Sequence, residues 1–237
     1  MKLDNYSPKN RMLVAVDCII FGFDGFQLNV LLVKRGIEPK KGHWSLMGGF
    51  VRRDEQVEDA ASRIHKDLTG LSDVYMEQLH IFSDINRDPI ERTLSVTFSS
   101  LIDINEYREQ ISDEYEAKWF PLYSIPKLIF DHDQMVALAQ EKLRYKAAFH
   151  PVVFELLPEK FTIPQLLNLY EGIYRKELDK RNFSRKLLSS GLLIKQKDKE
   201  KSTSKRGAYY YKLDKRKYQS RLQSFLNFVS PARHLGK

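Results

Sequence analysis

The 237-residue sequence contains a single cysteine, Cys18, set in an apolar run. One thiol excludes an internal disulfide and a multi-cysteine zinc site, and this one reads as a small core residue. No apolar stretch approaches the roughly 20 residues that a membrane-spanning helix needs. The first eleven residues are polar and lack the apolar centre of a secretory leader. Internal repeats and low-complexity tracts are also missing. These absences lead to the expectation of a soluble protein of a reducing cytoplasm, with no membrane partner. What is present is ample core material: 42% of residues are hydrophobic and 12% aromatic, which excludes a disordered chain.

The net charge of +8 is unevenly spread. Residues 1–150 carry 19 Lys and Arg against 23 Asp and Glu, a net of −4, while residues 151–237 carry 20 against 8, a net of +12. Two units are therefore expected, 1–150 and 151–237, of which only the second seeks a polyanion.

In the first unit, Leu13–Phe23 and Leu28–Val33 read as a β-hairpin around Asp24-Gly25. Trp44–Val51 reads as a short strand ending in a tight turn. Val57, Ala60, Ala61, Ile64 and Leu68 fall at helical spacing, with Gly70 placed to stop the helix. Val74–Ile85, Thr93–Ile104 and Ala117–Pro121 read as further strands, and Asp131–Ala148 as an amphipathic helix before a boundary at His150-Pro151. Strands on either side of a helix, then a closing helix, indicate an α/β or α+β domain.

The second unit opens with Thr162 and Gln165 at capping-box spacing, with Pro164 tolerated in the first turn. Ile163, Leu166, Leu167, Tyr170, Ile173 and Tyr174 give a helical stripe. A second helix is expected from about Asp179 to Ser190, with Phe183, Leu187 and Leu188 inward and Gly191 as its stop. Leu192–Lys195 and Ala208–Lys212 then flank a lysine-rich tip, Lys197–Gly207. Helix, turn, helix and β-ribbon in that order form the winged helix-turn-helix pattern.

In such a module the second helix enters the major groove. It carries Lys180, Arg181, Asn182, Ser184, Arg185 and Lys186; Asn and Arg can pair with base edges, whereas Lys neutralises phosphate. The tip adds Lys199, Lys201, Lys205 and Arg206, with Gly207 permitting close approach to a backbone. Tyr209, Tyr210 and Tyr211 read as packing one side of the ribbon. Double-stranded DNA is the expected partner. A helical dimerisation module with a solvated basic face is the competing reading; RNA is disfavoured because nothing resembles a stacking sheet or a GXXG loop.

The segment Gly49-Phe50-Val51-Arg52-Arg53-Asp54-Glu55, followed by Arg63 and Gly70-Leu71, resembles the Nudix box, and Trp44-Ser45-Leu46-Met47-Gly48-Gly49 resembles the sequence that precedes it. The resemblance implies a Nudix-type α/β/α sandwich with a mixed sheet, so the whole chain is expected to be α+β with a C-terminal winged helix-turn-helix domain. Nudix hydrolases hold Mg²⁺ on three helix glutamates, which correspond here to Ile64, Asp67 and Leu68. One carboxylate cannot build an octahedral oxygen site, so no catalytic residues, metal or cofactor are expected. Glu55 and Arg63 remain, with the implied role of bracing the loop against the helix.

An inactivated Nudix domain ahead of a winged helix resembles the Nudix-related (NrtR-like) transcriptional regulators. Asp17–Phe23, Trp44–Val51, Tyr75–Gln78 and Asp179–Phe183 are most similar to the branch that controls pentose use in gut Bacteroidetes. That resemblance implies a homodimer on a palindromic operator, with an effector in the old substrate cleft. A sugar such as L-arabinose or xylose is the first expectation and ADP-ribose the alternative. The candidate effector residues are Asp17, Lys34, Arg35, Trp44, Arg87, Asp88 and Arg92. An active Nudix hydrolase with a nucleic-acid-binding tail, and a scaffold protein without DNA affinity, are the rivals from other classes.

Overall fold

The computed structural model describes residues 11–70, 74–107, 116–149, 151–201 and 207–220. They form two compact units, the first running up to Pro158 and including Gly172–Arg175, the second comprising Glu159–Glu171 and the chain from Lys176.

The first unit is built around β1 (Leu13–Phe23), whose apolar run is buried from Val16 onward. Along its whole length β1 pairs in parallel with β6 (Thr93–Asp103), a neighbour that the hairpin reading does not anticipate. Strands buried on both faces read as continuous apolar runs, which suits this central position. The opposite edge of β1 is shared: Ala15–Cys18 pair with β4 (Met47–Phe50), and Phe21–Phe23 with β2 (Leu28–Lys34). The sheet order is β3 (Trp44–Ser45), β2, β1, β6 and β5 (Glu77–Phe82), with β4 on β1 and β7 (Lys118–Pro121) on β2. The strand expected over Val74–Ile85 is thus shorter.

Helix α1 (Val57–Thr69) lays Ala60, Ala61 and Ile64 on one face of the sheet against Cys18, Ile20, Val33 and Met47. Gly70 ends it at φ 72° and donates its N–H to the Lys66 carbonyl, the left-handed stop expected of glycine. Helix α3 (His132–Phe149) buries Met135, Val136, Ala139 and Leu143 and packs on β1. A short helix α2 (Ile104–Tyr107) follows β6. The 3₁₀ segment Pro151–Leu156 packs on β6 and α3 with Val153 and Leu156 fully buried, which carries this unit past the division read at 150/151.

The second unit contains β8 (Phe161–Thr162), α4 (Ile163–Tyr174, whose last turn groups with the first unit), α5 (Lys180–Ser189), β9 (Leu193–Glu200) and β10 (Ala208–Leu213). Its sheet order is β8-β10-β9. At two residues, β8 is too short for a periodic signal. The capping box forms: the Thr162 N–H donates to Gln165 Oε1 (2.8 Å), and the Gln165 N–H to Thr162 Oγ1 (3.3 Å). Asp179 caps α5 by accepting the Asn182 N–H at 2.6 Å. Three expectations change. Leu188 is exposed rather than inward, Leu169 of α4 is buried outside the stripe, and Lys197–Glu200 belong to β9 rather than to the tip. Among the described residues no helix is long and apolar enough to cross a membrane.

Candidate effector cleft and nucleic-acid interface

A cleft of about 520 Å³ in the first unit is lined by residues that include Asp17, Lys34, Arg35, Arg87 and Asp88. Two other residues expected to bind effector do not line it. Trp44 is half-buried and packs edge-on against Phe120, with ring centroids 4.7 Å apart. Arg92 spends its guanidinium on the carbonyls of Ser83 (3.0 Å) and Asp84 (2.9 Å), with no salt bridge to Asp88.

The cleft floor is a buried polar network. Arg87, only 8% exposed, makes a two-bond pair with Asp131, Nε to Oδ2 at 2.9 Å and Nη2 to Oδ1 at 2.8 Å. The same Nη2 lies 3.7 Å from Asp17 Oδ2. Ser95, fully buried, donates its hydroxyl to that oxygen at 2.5 Å. The other Asp17 oxygen faces His132 Nε2 at 3.6 Å, while His132 Nδ1 accepts the Leu46 N–H at 3.1 Å. A backbone donor on Nδ1 places the imidazole proton on Nε2, towards Asp17. Burial lowers the His132 pKa below its ordinary value, against the pull of Asp17 and Asp131, so the ring is neutral at pH 7. Gly48 pairs with Asp17 across β1 and β4, and a Cβ there would stand 2.2 Å from Asp17 Oδ1. Glycine lets that carboxylate lie over β4.

At the rim, Lys34 bonds Glu116 at 2.6 Å, which holds the glutamate pKa below its usual value. Arg35 donates Nε to the carbonyls of Pro39 (2.7 Å) and Ile37 (3.1 Å), and its guanidinium stands 5.3 Å from the Phe130 ring centre. Beside the cleft, Arg63 grips Glu55 with Nε to Oε2 at 2.9 Å and Nη2 to Oε1 at 2.6 Å. Glu55 also accepts the Arg52 N–H (2.8 Å), and Arg63 reaches the Phe50 carbonyl (3.2 Å). These bonds, first of all the one from Arg63, hold the Glu55 pKa down to about 2.

In the second unit, α5 has no buried residue and exposes Lys180, Arg181, Arg185 and Lys186. Asn182 and Ser184 are half-buried: Asn182 Oδ1 accepts from Arg185 Nη2 at 2.9 Å, and the Ser184 hydroxyl donates to the Lys180 carbonyl at 2.7 Å. Phe183 packs against Tyr170 of α4, with centroids 5.5 Å apart. Lys205 and Arg206 lie outside the described residues. Gly207 (φ 67°) does make a close backbone approach, but to its own ribbon: a Cβ there would meet the Glu200 carbonyl at 2.8 Å.

A family model described as the NUDIX domain matches residues 11–139, and one described as the NrtR DNA-binding winged helix domain matches residues 153–225. The chain is 32% identical over 231 residues to the ADPR responsive transcriptional repressor NtrR of Acinetobacter baylyi, covering 96% of this chain and 90% of that protein. This chain belongs to the NrtR family. Its fold agrees with the crystal structure of Shewanella oneidensis NrtR complexed with a 27mer DNA, at 32% identity and TM-score 0.72, over 85% of this chain and 93% of that one. The NUDIX domain of the same NrtR, in a cocrystal structure with ADP ribose, matches at 34% identity and TM-score 0.52, over 60% of this chain and 96% of that one.

Nudix domains elsewhere hold a divalent metal on α1, and the side chains here do not fit one. Ile64, at the first ligand position, is 4% exposed and packed beneath Gly49, whose Cβ would meet it at 3.2 Å. Asp67 is exposed, and His65 is buried with Nδ1 3.2 Å from Thr69 Oγ1. Hard cations take six to eight oxygens, and neither an aliphatic chain in the core nor one solvated carboxylate supplies them. Sequence reasoning missed Ser95, Asp131, His132 and Glu116. Ser95 and Thr97, alternating with Leu94, Val96 and Phe98 along β6, were the available signal for the first. Asp131-His132 at a helix start read only as a boundary.

Proposed function

We propose that this NrtR-family chain is a transcriptional repressor that reads duplex DNA with α5 and the β9–β10 ribbon, and that a small molecule in the Nudix cleft switches it. ADP-ribose is the effector we name first. The observation that carries this reading is an α1 that keeps the Glu55–Arg63 brace but packs Ile64 into the core where a metal-binding carboxylate would stand. A cleft so altered retains shape and recognition without the charge needed to hydrolyse a diphosphate. The Acinetobacter repressor is ADPR responsive, and the Shewanella NUDIX domain was crystallised with ADP ribose; both favour ADP-ribose over the pentose expected from the sequence. The DNA complex of the Shewanella relative favours the second unit as the DNA-binding part. A homodimer would place two copies of α5 about 34–36 Å apart, or a multiple of that, on a palindromic operator.

One observation keeps a neutral sugar as a second reading. Lys34 and Arg87 are already paired with Glu116 and Asp131, so a diphosphate would compete with those carboxylates for them.

A thermal-shift screen of ADP-ribose, L-arabinose and xylose tests the effector, because a ligand at 100 times its Kd stabilises by about 2.7 kcal/mol. The expected result is a shift with ADP-ribose. A shift with a pentose alone replaces the effector. Turnover of ADP-ribose in Mg²⁺ refutes the non-hydrolytic reading.

A further inference from the structure

The wing contains an arrangement that neither the fold nor the recognition helix requires. Lys195 and Lys199 both stand on β9, four residues apart, and both are exposed. On a regular strand such residues are separated by about 13 Å, at roughly 3.3 Å per residue. Here both ammonium groups face one ring: Lys195 Nζ is 3.6 Å and Lys199 Nζ 4.4 Å from the centroid of Tyr209 on β10. The two charges are therefore within about 8 Å of one another.

The cause lies in the pairing. Tyr209 stands opposite Lys199, and Tyr211 opposite Lys195, so two steps along β10 answer four along β9. That irregularity folds the extra length of β9 into a bulge, which increases local twist and re-aims side chains. Two like charges so close repel each other, and the negative face of an aromatic ring is what draws both in. Two acidic groups of this unit are otherwise occupied: Asp198 bonds Lys160 at 2.8 Å and Glu159 bonds Lys212 at 2.6 Å. Among the described residues, no salt bridge neutralises Lys195 or Lys199.

We infer that Tyr209 is a positioning residue that gathers Lys195 and Lys199 into a two-ammonium clamp for the phosphate backbone of duplex DNA. The clamp rests on the DNA-binding reading above and adds to it a phosphate site on the ribbon of the wing. A free ammonium pair gathered on a rigid ring meets the backbone with less side-chain entropy to lose than two independent lysines. Tyr209 itself touches no base.

The test is duplex binding by the full chain, titrated over a range of salt concentrations, because each phosphate neutralised adds about 0.9 to the slope of log K against log salt. Lys195→Gln and Lys199→Gln should each lower that slope by about 0.9. Tyr209→Leu should weaken binding several-fold at low salt, whereas Tyr209→Phe, which keeps the ring, should bind like the parent. In the Lys195→Gln, Lys199→Gln background, Tyr209→Leu should add nothing further. A merely structural tyrosine would weaken binding equally in both backgrounds, and that result overturns the clamp. Parent-like slopes in both lysine variants overturn it as well, while leaving the DNA-binding reading intact. A parent chain with no salt-sensitive affinity for duplex DNA would remove both.

Discussion

Replacing Arg87 by Met tests the cleft floor most severely. The guanidinium side chain is 4% exposed, and its partners Asp17 and Asp131 are 8% and 11% exposed. Methionine keeps much of the volume but leaves the Asp17 and Asp131 carboxylates, both little exposed, without the cation that lies beside each of them. Removing one partner of a buried ion pair costs about 3–5 kcal/mol, because the remaining charge is stranded without solvent. For a unit of this size each kcal/mol moves Tm by roughly 2–4 °C, so the expected loss is about 6–20 °C. Both tryptophans, Trp44 and Trp119, lie in the first unit, so their fluorescence reports its melting without interference from the winged helix. The double variant R87M/D131N removes one stranded charge and should recover part of the loss. A Met variant that melts within 2 °C of the parent would refute the claim that Arg87 neutralises this floor.

Gly48→Ala should cost about 1–3 kcal/mol by overpacking, since its Cβ would meet Asp17 Oδ1 at 2.2 Å and the Val16 carbonyl at 2.9 Å. It should also reduce the effector-induced thermal shift by displacing Asp17. The Glu55 carboxyl titrates at about 2 in the folded chain, below its ordinary 4.5. Its stabilisation is therefore complete above pH 4.5 and is lost as pH falls towards 2. Glu55→Gln should be less stable than the parent at pH 7, and denaturant titrations should show the gap closing through that window. His132 has the opposite chemistry but the same direction of loss. Its lowered pKa means that the unfolded chain takes up the proton first below pH 6.5, withdrawing stability by at most about 1.4 kcal/mol per pH unit. His132→Gln should flatten that part of the acid limb in the same titrations.

The legible parts of this protein were those written in local patterns. Asp179 and Gly70 mark helix ends by their own capping chemistry, and Thr162 with Gln165 makes the capping box that its spacing announces. The brace between Glu55 and Arg63 follows from motif spacing alone. The parallel pairing of β1 with β6 was not legible, because the residue pattern of a buried strand carries no mark of its neighbour's direction. The cleft floor was half legible. Asp17 and Arg87 stand out as charges in or near apolar strands, but Asp131 and His132 acquire meaning only when the start of α3 comes beside residues more than 40 positions away. The wing clamp was hidden for a similar reason: the bulge between Tyr209 and Tyr211 is a property of two strands together. The tip residues Lys205 and Arg206 remain expectations of charge.

In the proposed function, a Nudix cleft without its metal carboxylates controls a DNA-binding wing. The most direct measurement is the anisotropy of a labelled palindromic duplex titrated with the full chain, with and without saturating ADP-ribose and Mg²⁺, followed by quantification of the nucleotide. The expected result is salt-sensitive binding that ADP-ribose changes by at least tenfold, about 1.4 kcal/mol of coupling, with the nucleotide recovered intact. Duplex affinity indifferent to ADP-ribose, together with conversion of the nucleotide to AMP, would contradict it.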